Sequence, residues 1–441
     1  MNITCIKNQV TIGIVGMGAM GKNLAYNFAS KGITVGVTNR TLSILDEVEN
    51  VTNLSKSNSV DELISSISAR EGFKYLILLV KAGSAVDAML EVIYAGGGNK
   101  DLKVIDMGNS NPKDSQVRLS KYPNLVVCGI SGGEEGARYG ASYMMSGNVD
   151  DNLKNILSEV SALDFLGGET VGVFGLGNEG NIVKTIHNGI EYSQMQLIGE
   201  IINTIKIGKI EVDGYKNDNQ SISKLLTEMA SKNNDFLLSI FAKTLLYTNI
   251  ENVTNYIGAK GTGGWSIETA LEVNKPFVYM SYSLNRRILS SQNIEVSSSI
   301  NISTKRLSFD EINELYNFCC CEFLREGVEI IESKIKDISD VLRVWQGGCI
   351  IRSNNLLKSI NTLKDNYHNL NDNLYNNLSL LPIGRTVQEV VMIYKSNKNM
   401  VGSNKYVAVA RDVFGAHGFN EYVSNNGEKN VEVRHIKINS N

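Results

Sequence analysis

Near the start of the chain, the segment Gly16-Met17-Gly18-Ala19-Met20-Gly21 has the spacing GxGxxG. It follows a short apolar stretch, Gln9 to Val15, and opens a stretch with helical spacing, Gly21 to Ser30. Strand, glycine loop and helix in this order are typical of the first unit of a dinucleotide-binding fold. The first glycine makes the tight turn, the second lets the backbone approach a pyrophosphate, and the third lets helix and strand pack closely. The motif therefore predicts a dinucleotide site, the alternative being a glycine-rich turn without a ligand.

The rest of the first third continues the alternation of strands and helices. A helix is predicted at Asp61 to Ala69, and a further short α/β stretch runs to about Val173. The predicted strands are Ile33 to Thr38, Tyr75 to Val80, Val104 to Met107 and Leu125 to Gly129. This order predicts a parallel, doubly wound Rossmann-like sheet.

From Asn178 the pattern becomes almost entirely helical. Helices are predicted at Asn181 to Gly208, Ser221 to Lys232, Asn234 to Leu246, Trp265 to Asn274, Pro276 to Gln292 and Phe309 to Lys336. The asparagine-rich stretch Asn354 to Asn377 keeps helical spacing, so we interpret it as a helix with a polar face. We therefore expect an α/β domain at 1–177, a mostly all-α domain at 178–417 and a tail at 418–441.

Composition narrows the class of protein. The 43 lysines and arginines against 46 acidic residues leave a net charge of −3 over 441 residues, which gives no reason to expect a nucleic-acid partner. No apolar run approaches the roughly 20 residues of a membrane span, so no membrane partner is expected. The six cysteines include no CxxC pair. We expect no metal site and a reducing, cytoplasmic location.

The residues after the second predicted strand indicate which coenzyme binds. An acidic residue there would bind the ribose 2′-hydroxyl of NAD and repel a 2′-phosphate. Here the segment is Asn39-Arg40-Thr41, and the guanidinium of Arg40 would pair with a 2′-phosphate. NADP is therefore favoured, the alternative being that Arg40 simply begins the following helix on the surface.

The start of the long predicted helix carries a second polar cluster. At 3.6 residues per turn, Lys184, His187, Asn188 and Glu191 share one face. Burial beside other cations would lower the pKa of Lys184 and let it act as a base. The spacing alone leaves open a surface ion pair with a histidine in the core.

The sequence resembles the 6-phosphogluconate dehydrogenase family, decarboxylating enzymes of the pentose phosphate pathway, over nearly its whole length. Besides the glycine loop, Asn39-Arg40-Thr41 and the Lys184 helix, the matching segments are Val80-Lys81-Ala82-Gly83, Gly108-Asn109, Ile130 to Gly140, Lys260-Gly261-Thr262-Gly263, Arg287 to Ser291, Trp345 to Ser353 and Arg411 to His417. Many motifs in the same order are more specific than any one of them.

The resemblance implies a role for each matching residue. Lys184 would be the general base and Glu191 the acid of an NADP-dependent oxidative decarboxylation of 6-phosphogluconate to ribulose 5-phosphate. The implied substrate ligands are Asn109, Ser131, Gly132, Gly133, His187, Asn188, Tyr192, Lys260, Arg287, Arg411 and His417. The implied coenzyme contacts are Gly16, Met17, Gly18, Ala19, Met20, Gly21, Asn39, Arg40, Thr41, Val80, Lys81, Ala82 and Asn109.

The resemblance also implies a homodimer in which Arg411 and His417 serve the partner's site. The chain departs from the family pattern at Gly264, at Ser142 to Gly147 and in a short tail after His417. The short tail puts dimer stability in doubt. Two alternatives remain at this point. One is another β-hydroxyacid dehydrogenase, such as a hydroxyisobutyrate enzyme, which would have no need of Arg411 and His417. The other is a catalytically inactive NADP-binding regulator.

Overall fold

The computed structural model describes residues 10–95, 101–247, 253–254, 257–258, 261–291, 304–356 and 371–395. The first part of the chain forms one eight-stranded sheet with the strand order β3-β2-β1-β4-β5-β6-β7-β8. The strands are β1 Val10–Val15, β2 Thr34–Thr38, β3 Leu54–Lys56, β4 Phe73–Leu78, β5 Leu102–Asp106, β6 Leu125–Ser131, β7 Ser142–Gly147 and β8 Val171–Val173. The expected Rossmann-like sheet is confirmed. The strand order reverses between β1 and β4, because β2 and β3 extend the sheet on one side of β1 and the later strands extend it on the other.

The first six strands are parallel as predicted, but β7 and β8 run in the opposite direction. β7 runs antiparallel to β6, with Ser131 opposite Ser142, whereas the other neighbouring pairs are parallel. Only residues 132–141 connect β6 to β7. A parallel neighbour needs a crossover of about a dozen residues or more, so the shorter connection returns the chain antiparallel.

Helices cover both faces of this sheet because side chains alternate along each buried strand. Ile12 and Ile14 of β1 point to one core, and Val15 points to the other. The helices are α1 Ala19–Ser30, α2 Ser43–Asp46, α3 Val60–Ser68, α4 Ser84–Tyr94, α5 Pro112–Lys121, α6 Gly133–Tyr139 and α7 Asp151–Glu159. Leu24 and Phe28 of α1 pack on the first face, and Leu63 of α3 packs on the second.

The second part of the chain is mostly helical, as expected. Its helices are α8 Glu179–Lys206, α9 Asn219–Asn233, α10 Phe236–Thr244, α11 Thr262–Glu272, α12 Val278–Ser291, α13 Phe309–Glu332, α14 Ile338–Trp345, α15 Asp372–Leu378 and α16 Pro382–Lys395. The 28-residue α8 runs through the apolar core of this part. No helix of the described ranges has the length and hydropathy to cross a bilayer.

Some elements of this part differ from the sequence-based expectation. Two short parallel strands, β9 Ile210–Val212 and β10 Lys305–Leu307, pair with each other. Three-residue strands are too short to show a reliable alternation, so the sequence did not indicate them. The helix expected to run to Lys336 ends at Glu332, and a separate helix, α14, follows. Most of the asparagine-rich stretch lies outside the described residues; its end forms α15.

The first turns of α8 lie directly on the sheet. The Gly180 N–H donates to Oγ of Ser146 in β7 at 3.0 Å. A Cβ atom on Gly180 would lie 2.4 Å from the carbonyl oxygen of Met144, so only glycine permits this approach. α14 reinforces the junction, because Oγ of Ser142 donates to the carbonyl of Val344 at 2.7 Å. These contacts place the polar face of α8 at the end of β6.

Candidate active site

The glycine loop has the geometry of a phosphate-binding turn. Gly16 has a φ of +103°, a conformation that glycine adopts without strain. A Cβ on Gly21 would lie 1.9 Å from the carbonyl oxygen of Gly16, so the loop and α1 pack at glycine distance. A Cβ on Gly18 would meet no atom within 4 Å, so the N-terminus of α1 opens into space. No side chain caps this end of α1, which leaves backbone N–H groups for an anion.

Asn39 holds the glycine loop to the end of β2. Its Oδ1 accepts a hydrogen bond from the Met17 N–H at 3.0 Å, and its Nδ2 donates to the carbonyl of Thr41 at 2.9 Å. Arg40 and Thr41 are exposed next to this clamp. The structure therefore brings the whole predicted Asn39-Arg40-Thr41 segment beside the glycine loop.

Two further predicted segments lie at the same edge of the sheet. Val80, Lys81 and Ala82 form the loop after β4 rather than its end, because β4 stops at Leu78. Gly108 and Asn109 follow β5, and a Cβ on Gly108 would lie 3.2 Å from the carbonyl oxygen of Val80. Since the carboxyl ends of parallel strands meet at one edge, these loops lie beside the point between β1 and β4 where the strand order reverses.

The polar face predicted on α8 is present and meets the end of β6. Nζ of Lys184 donates to Oγ of Ser131 at 3.2 Å, and Nε2 of His187 lies 3.5 Å from the same oxygen. Nδ1 of His187 lies 3.1 Å from Oδ1 of Asn188 and 3.9 Å from Oε2 of Glu191. The structure thus joins Ser131 with all four predicted residues of the helix.

Burial, rather than neighbouring cations, lowers the pKa of Lys184. The amine loses hydration, whereas the Glu191 carboxyl and the Cys349 thiol oppose the shift. The expected direction is therefore confirmed, with burial as its cause, and among the described residues no cation contributes to it. Burial and the charge of Lys184 also hold the pKa of His187 well below its usual range, so its imidazole is neutral.

The carboxyl group of Glu191 has the opposite tendency. Burial raises its pKa, against the influence of Lys184 and Arg287. The carboxyl is therefore more readily protonated than a surface glutamate. Lys184 and Glu191, two turns apart on one helix, are tuned toward a neutral amine and a neutral acid.

Arg287 of α12 extends the cluster on its far side. Its guanidinium carbon lies 3.4 Å from the ring centroid of Tyr192, a cation–π contact. The hydroxyl of Tyr192 lies 3.4 Å from Oγ1 of Thr262, at the start of α11. Three helices therefore converge next to Glu191 and place one cation there.

The Gly132-Gly133 turn lies at the end of β6, next to Ser131. Both residues have positive φ, +152° and +61°. A Cβ on Gly132 would lie 2.9 Å from Cα of Gly136, whereas Gly133 faces open space. The turn is thus available for backbone contacts to a bound molecule. Lys260, Arg411 and His417 lie outside the described residues.

The sequence did not single out three residues that border the cluster. The buried Cys349 thiol has its pKa raised by burial, against the charge of Lys184 and the Ser131 hydroxyl. The Trp345 ring lies edge-on to His187 at 6.1 Å between centroids. Thr262 contacts Tyr192 as described above. All three lie in segments that match the family pattern, and this match is the one sequence feature that pointed to them. Within the described ranges, no group of three His, Cys, Asp or Glu side chains is arranged to hold a metal.

Two family models match the chain over consecutive ranges. The NAD binding domain of 6-phosphogluconate dehydrogenase matches residues 11–175, and the C-terminal domain of 6-phosphogluconate dehydrogenase matches residues 180–380. The chain belongs to the 6-phosphogluconate dehydrogenase family. The glycine loop lies in the first range, and the Lys184 helix lies in the second.

Individual relatives agree with this family. The chain is 33% identical over 387 residues to a chloroplastic decarboxylating 6-phosphogluconate dehydrogenase of Arabidopsis thaliana, covering 78% of this chain and 77% of the relative. It is 31% identical over 439 residues to the Staphylococcus epidermidis enzyme, covering 92% and 89%. The solved 6-phosphogluconate dehydrogenase of Plasmodium falciparum superposes with a TM-score of 0.76 at 28% identity, covering 93% and 98%.

Proposed function

We propose that this chain catalyses the NADP-dependent oxidative decarboxylation of 6-phosphogluconate to ribulose 5-phosphate and CO2. The observation that carries the proposal is the position of Lys184, which shares a helix face with Glu191 and donates from Nζ to Oγ of Ser131 at 3.2 Å. The relatives are named as decarboxylating enzymes of this substrate, and the Plasmodium structure was determined with NADP+ and with 6-phosphogluconate.

The coenzyme edge of the sheet fits NADP. The space above Gly18 and the uncapped N-terminus of α1 suit a pyrophosphate. The exposed Arg40 is placed to pair with a 2′-phosphate. When bound, NADP supplies the acceptor for the hydride that leaves C3 of the substrate. The residues that would hold it are Gly16, Met17, Gly18, Ala19, Met20, Gly21, Asn39, Arg40, Thr41, Val80, Lys81, Ala82 and Asn109.

Lys184 is the general base of this proposal. Its lowered pKa provides a neutral amine that takes the proton of the C3 hydroxyl. The hydrogen bond to Ser131 fixes the position of Nζ before the substrate arrives. His187 keeps a neutral imidazole, so it adds no positive charge beside the protonated Lys184.

The same lysine serves the loss of CO2. Oxidation at C3 gives a β-keto acid, which decarboxylates readily once its carbonyl is polarised. The ammonium of Lys184, now protonated, donates to the C3 oxygen. The C1 carboxylate leaves as CO2, and the C1–C2 bonding pair forms a C2=C3 double bond. The C3 carbonyl pair moves to its oxygen, which takes the proton back from Lys184, and an enediol results.

Glu191 completes the reaction by protonating carbon. The enediol needs a proton on the carbon that lost CO2, which becomes C1 of ribulose 5-phosphate. The raised pKa of Glu191 keeps a proton available on its carboxyl group. As the carbon is protonated, Lys184 takes the proton of the former C3 hydroxyl and the ketone of ribulose 5-phosphate forms. Lys184 then returns that proton to the Glu191 carboxylate, so both groups regain their starting states.

Substrate recognition in this proposal uses the anionic groups of 6-phosphogluconate. The protein carries a net charge of −3 and must therefore gather cations locally. Arg287 stands beside Glu191 and Tyr192, where it can face one end of the substrate. The proposed ligands are Asn109, Ser131, Gly132, Gly133, His187, Asn188, Tyr192, Lys260, Arg287, Arg411 and His417.

The proposal also covers the assembly of the chain, its domains and its location. We propose a homodimer in which Arg411 and His417 complete the partner's site, and domains at 1–177 and 178–417 with a tail at 418–441. The buried thiols of Cys128, Cys319, Cys320 and Cys349 form no disulfide, which is compatible with the proposed cytoplasmic location.

A single assay separates this function from the alternatives. The purified protein is given 6-phosphogluconate and NADP, and NADPH absorbance is followed together with CO2 release. Equal amounts of both products are expected. A hydroxyisobutyrate-type dehydrogenase would form NADPH from hydroxyisobutyrate and not from 6-phosphogluconate. An inactive regulator would bind NADP without forming either product.

A further inference from the structure

The guanidinium of Arg118 joins the loops that follow β4 and β5. Arg118 lies on α5 and is 3% exposed. Its Nη2 donates to the carbonyl oxygen of Gly83 at 3.0 Å, in the loop after β4. Its Nη1 donates to Oγ of Ser110 at 3.2 Å, in the loop after β5. Its Nε donates to Oδ1 of Asp87 in α4 at 2.7 Å.

Asp106 forms the second half of this buried network. Its side chain is fully buried, and Oδ2 lies 3.5 Å from Nη1 of Arg118. Oδ2 also accepts from the Ser110 hydroxyl at 2.7 Å, and Oδ1 accepts from the Gly108 N–H at 3.0 Å. The carboxylate therefore shapes the Gly108–Ser110 turn, while the guanidinium ties that turn to Gly83.

The two loops also touch directly. Gly108 approaches the carbonyl of Val80 so closely that a Cβ would stand 3.2 Å from it. A shift of the Gly108 turn would therefore displace Val80 and the residues after it. Arg118 itself is almost completely buried.

We propose that Arg118, acting through Asp106 and Ser110, is a positioning residue for the coenzyme. It sets the position of the Val80–Gly83 loop relative to Asn109. The inference rests on the proposed function, because those loops matter only if the coenzyme binds between them. The planar fork of arginine makes bonds in three directions, which the single ammonium of lysine cannot reproduce.

The test compares Arg118→Lys with the wild type in two measurements. NADPH affinity is measured by titration calorimetry without substrate, and kcat and both KM values are measured in the turnover assay. We expect the NADPH Kd and the KM for NADP to rise about tenfold, since misplacement by about an ångström has costs of this order or more. The KM for 6-phosphogluconate at saturating NADP should change less than about twofold.

Arg325→Lys is the matched control. Arg325 is 4% exposed and pairs with Glu322 at 3.2 Å and Glu329 at 2.7 Å, within α13. This variant changes a comparable buried ion pair in α13, a helix of the second part of the chain. It should keep wild-type NADPH affinity. If both variants weaken NADPH equally, the effect is general destabilisation and the proposal is overturned.

Ser110→Ala keeps the inference testable if Arg118→Lys does not fold. It removes only the hydroxyl that links Asp106 to Arg118, and we expect the NADPH Kd to rise about threefold, as for a single lost hydrogen bond. Unchanged NADPH affinity in folded Arg118→Lys, or in Ser110→Ala where the former is unfolded, overturns the proposal. A wild type that binds no NADPH contradicts the proposed function instead.

Discussion

A methyl group on Gly129 of β6 would stand 2.4 Å from Cβ of Lys184 and 2.9 Å from its Cγ. The stem of the lysine therefore passes over a strand position that has no side chain. The carbonyl oxygen of Gly180 lies 3.3 Å from the same point, so α8 cannot move away without disturbing its first turn. Gly129 thus determines where the amine of Lys184 can reach.

Gly129→Ala should reduce both kcat and the free energy of unfolding. Overpacking a core position costs about 1–3 kcal/mol, whereas misplacing a reactive group by about an ångström can cost about a hundredfold in rate. We expect kcat to fall about a hundredfold, measured beside the free energy of unfolding in urea. Gly199→Ala is the control. Gly199 lies on α8, the helix of Lys184, and a Cβ there would meet no atom within 4 Å, so this variant should keep wild-type kcat.

Lys184→Arg and Glu191→Gln should stop the reaction at different steps. Arginine cannot act as a base near neutral pH because its pKa exceeds about 12, so Lys184→Arg should form no NADPH even in a single turnover. Glu191→Gln lacks only the final carbon acid, so it should form about one NADPH per site in a rapid burst and then turn over slowly.

Stopped-flow absorbance with enzyme and substrate at similar concentrations measures the burst. Both variants should bind NADPH like the wild type, since the glycine loop is unchanged. A steady-state rate within about tenfold of wild type for Lys184→Arg would falsify the assignment of the base.

Arg40→Ala should change coenzyme choice. A charge-assisted contact to the 2′-phosphate contributes about 1.5–3 kcal/mol, so the NADP Kd should rise at least about tenfold while NAD is little affected. Lys31→Ala, an exposed cation at the other end of α1, is the control. Equal losses for NADP and NAD would mean that Arg40 contributes only to the structure.

Mixing inactive Lys184→Ala with inactive Arg411→Ala should restore activity. In the proposed isologous dimer, each mixed dimer has one complete site because Arg411 serves the partner. Random assembly makes about half of the dimers mixed, so activity should approach about a quarter of wild type. No recovery after exchange, verified by pull-down of tagged subunits, would show that Arg411 serves its own subunit.

Glu326 should make stability depend on pH. Its carboxylate accepts the N–H groups of Val278 and Tyr279 at the start of α12, at 3.0 and 3.2 Å. Burial raises its pKa from 4.5 to about 7. The folded state therefore binds more protons than the unfolded state between these values, and stability is lost as pH rises through 7.

Glu326→Gln removes this contribution. Wild-type stability minus that of Glu326→Gln should fall by about 3 kcal/mol as pH rises across the window, measured by urea unfolding at several pH values. Glu314→Gln, at an exposed position of the same helix, is the control. A flat difference for Glu326→Gln would contradict the prediction.

The sequence pattern was sufficient to predict those structural features that a single turn or helix forms. The glycine loop was predictable because Gly16, Gly18 and Gly21 act within a single turn and helix start. The polar face of α8 was predictable because helical spacing alone brings Lys184 and Glu191 to one side.

Features made by distant segments were not predictable in this way. The direction of β7, the pairing of β9 with β10 and the Arg118 network each depend on which elements pack together. The neighbours that act on the pKa of Lys184 were not predictable for the same reason, since their identity is a property of packing.

The amino-acid sequence by itself determined the order of strands and helices, the dinucleotide loop and the set of side chains on α8, because backbone sterics and helical periodicity act over a few residues. Tertiary structure alone decided that Ser131 meets Lys184 and that Gly129 leaves room for its stem. It also decided that Arg118 ties two loops together. These relationships depend on close packing between residues far apart in the chain, where a single methyl group or hydrogen bond determines which approach is possible.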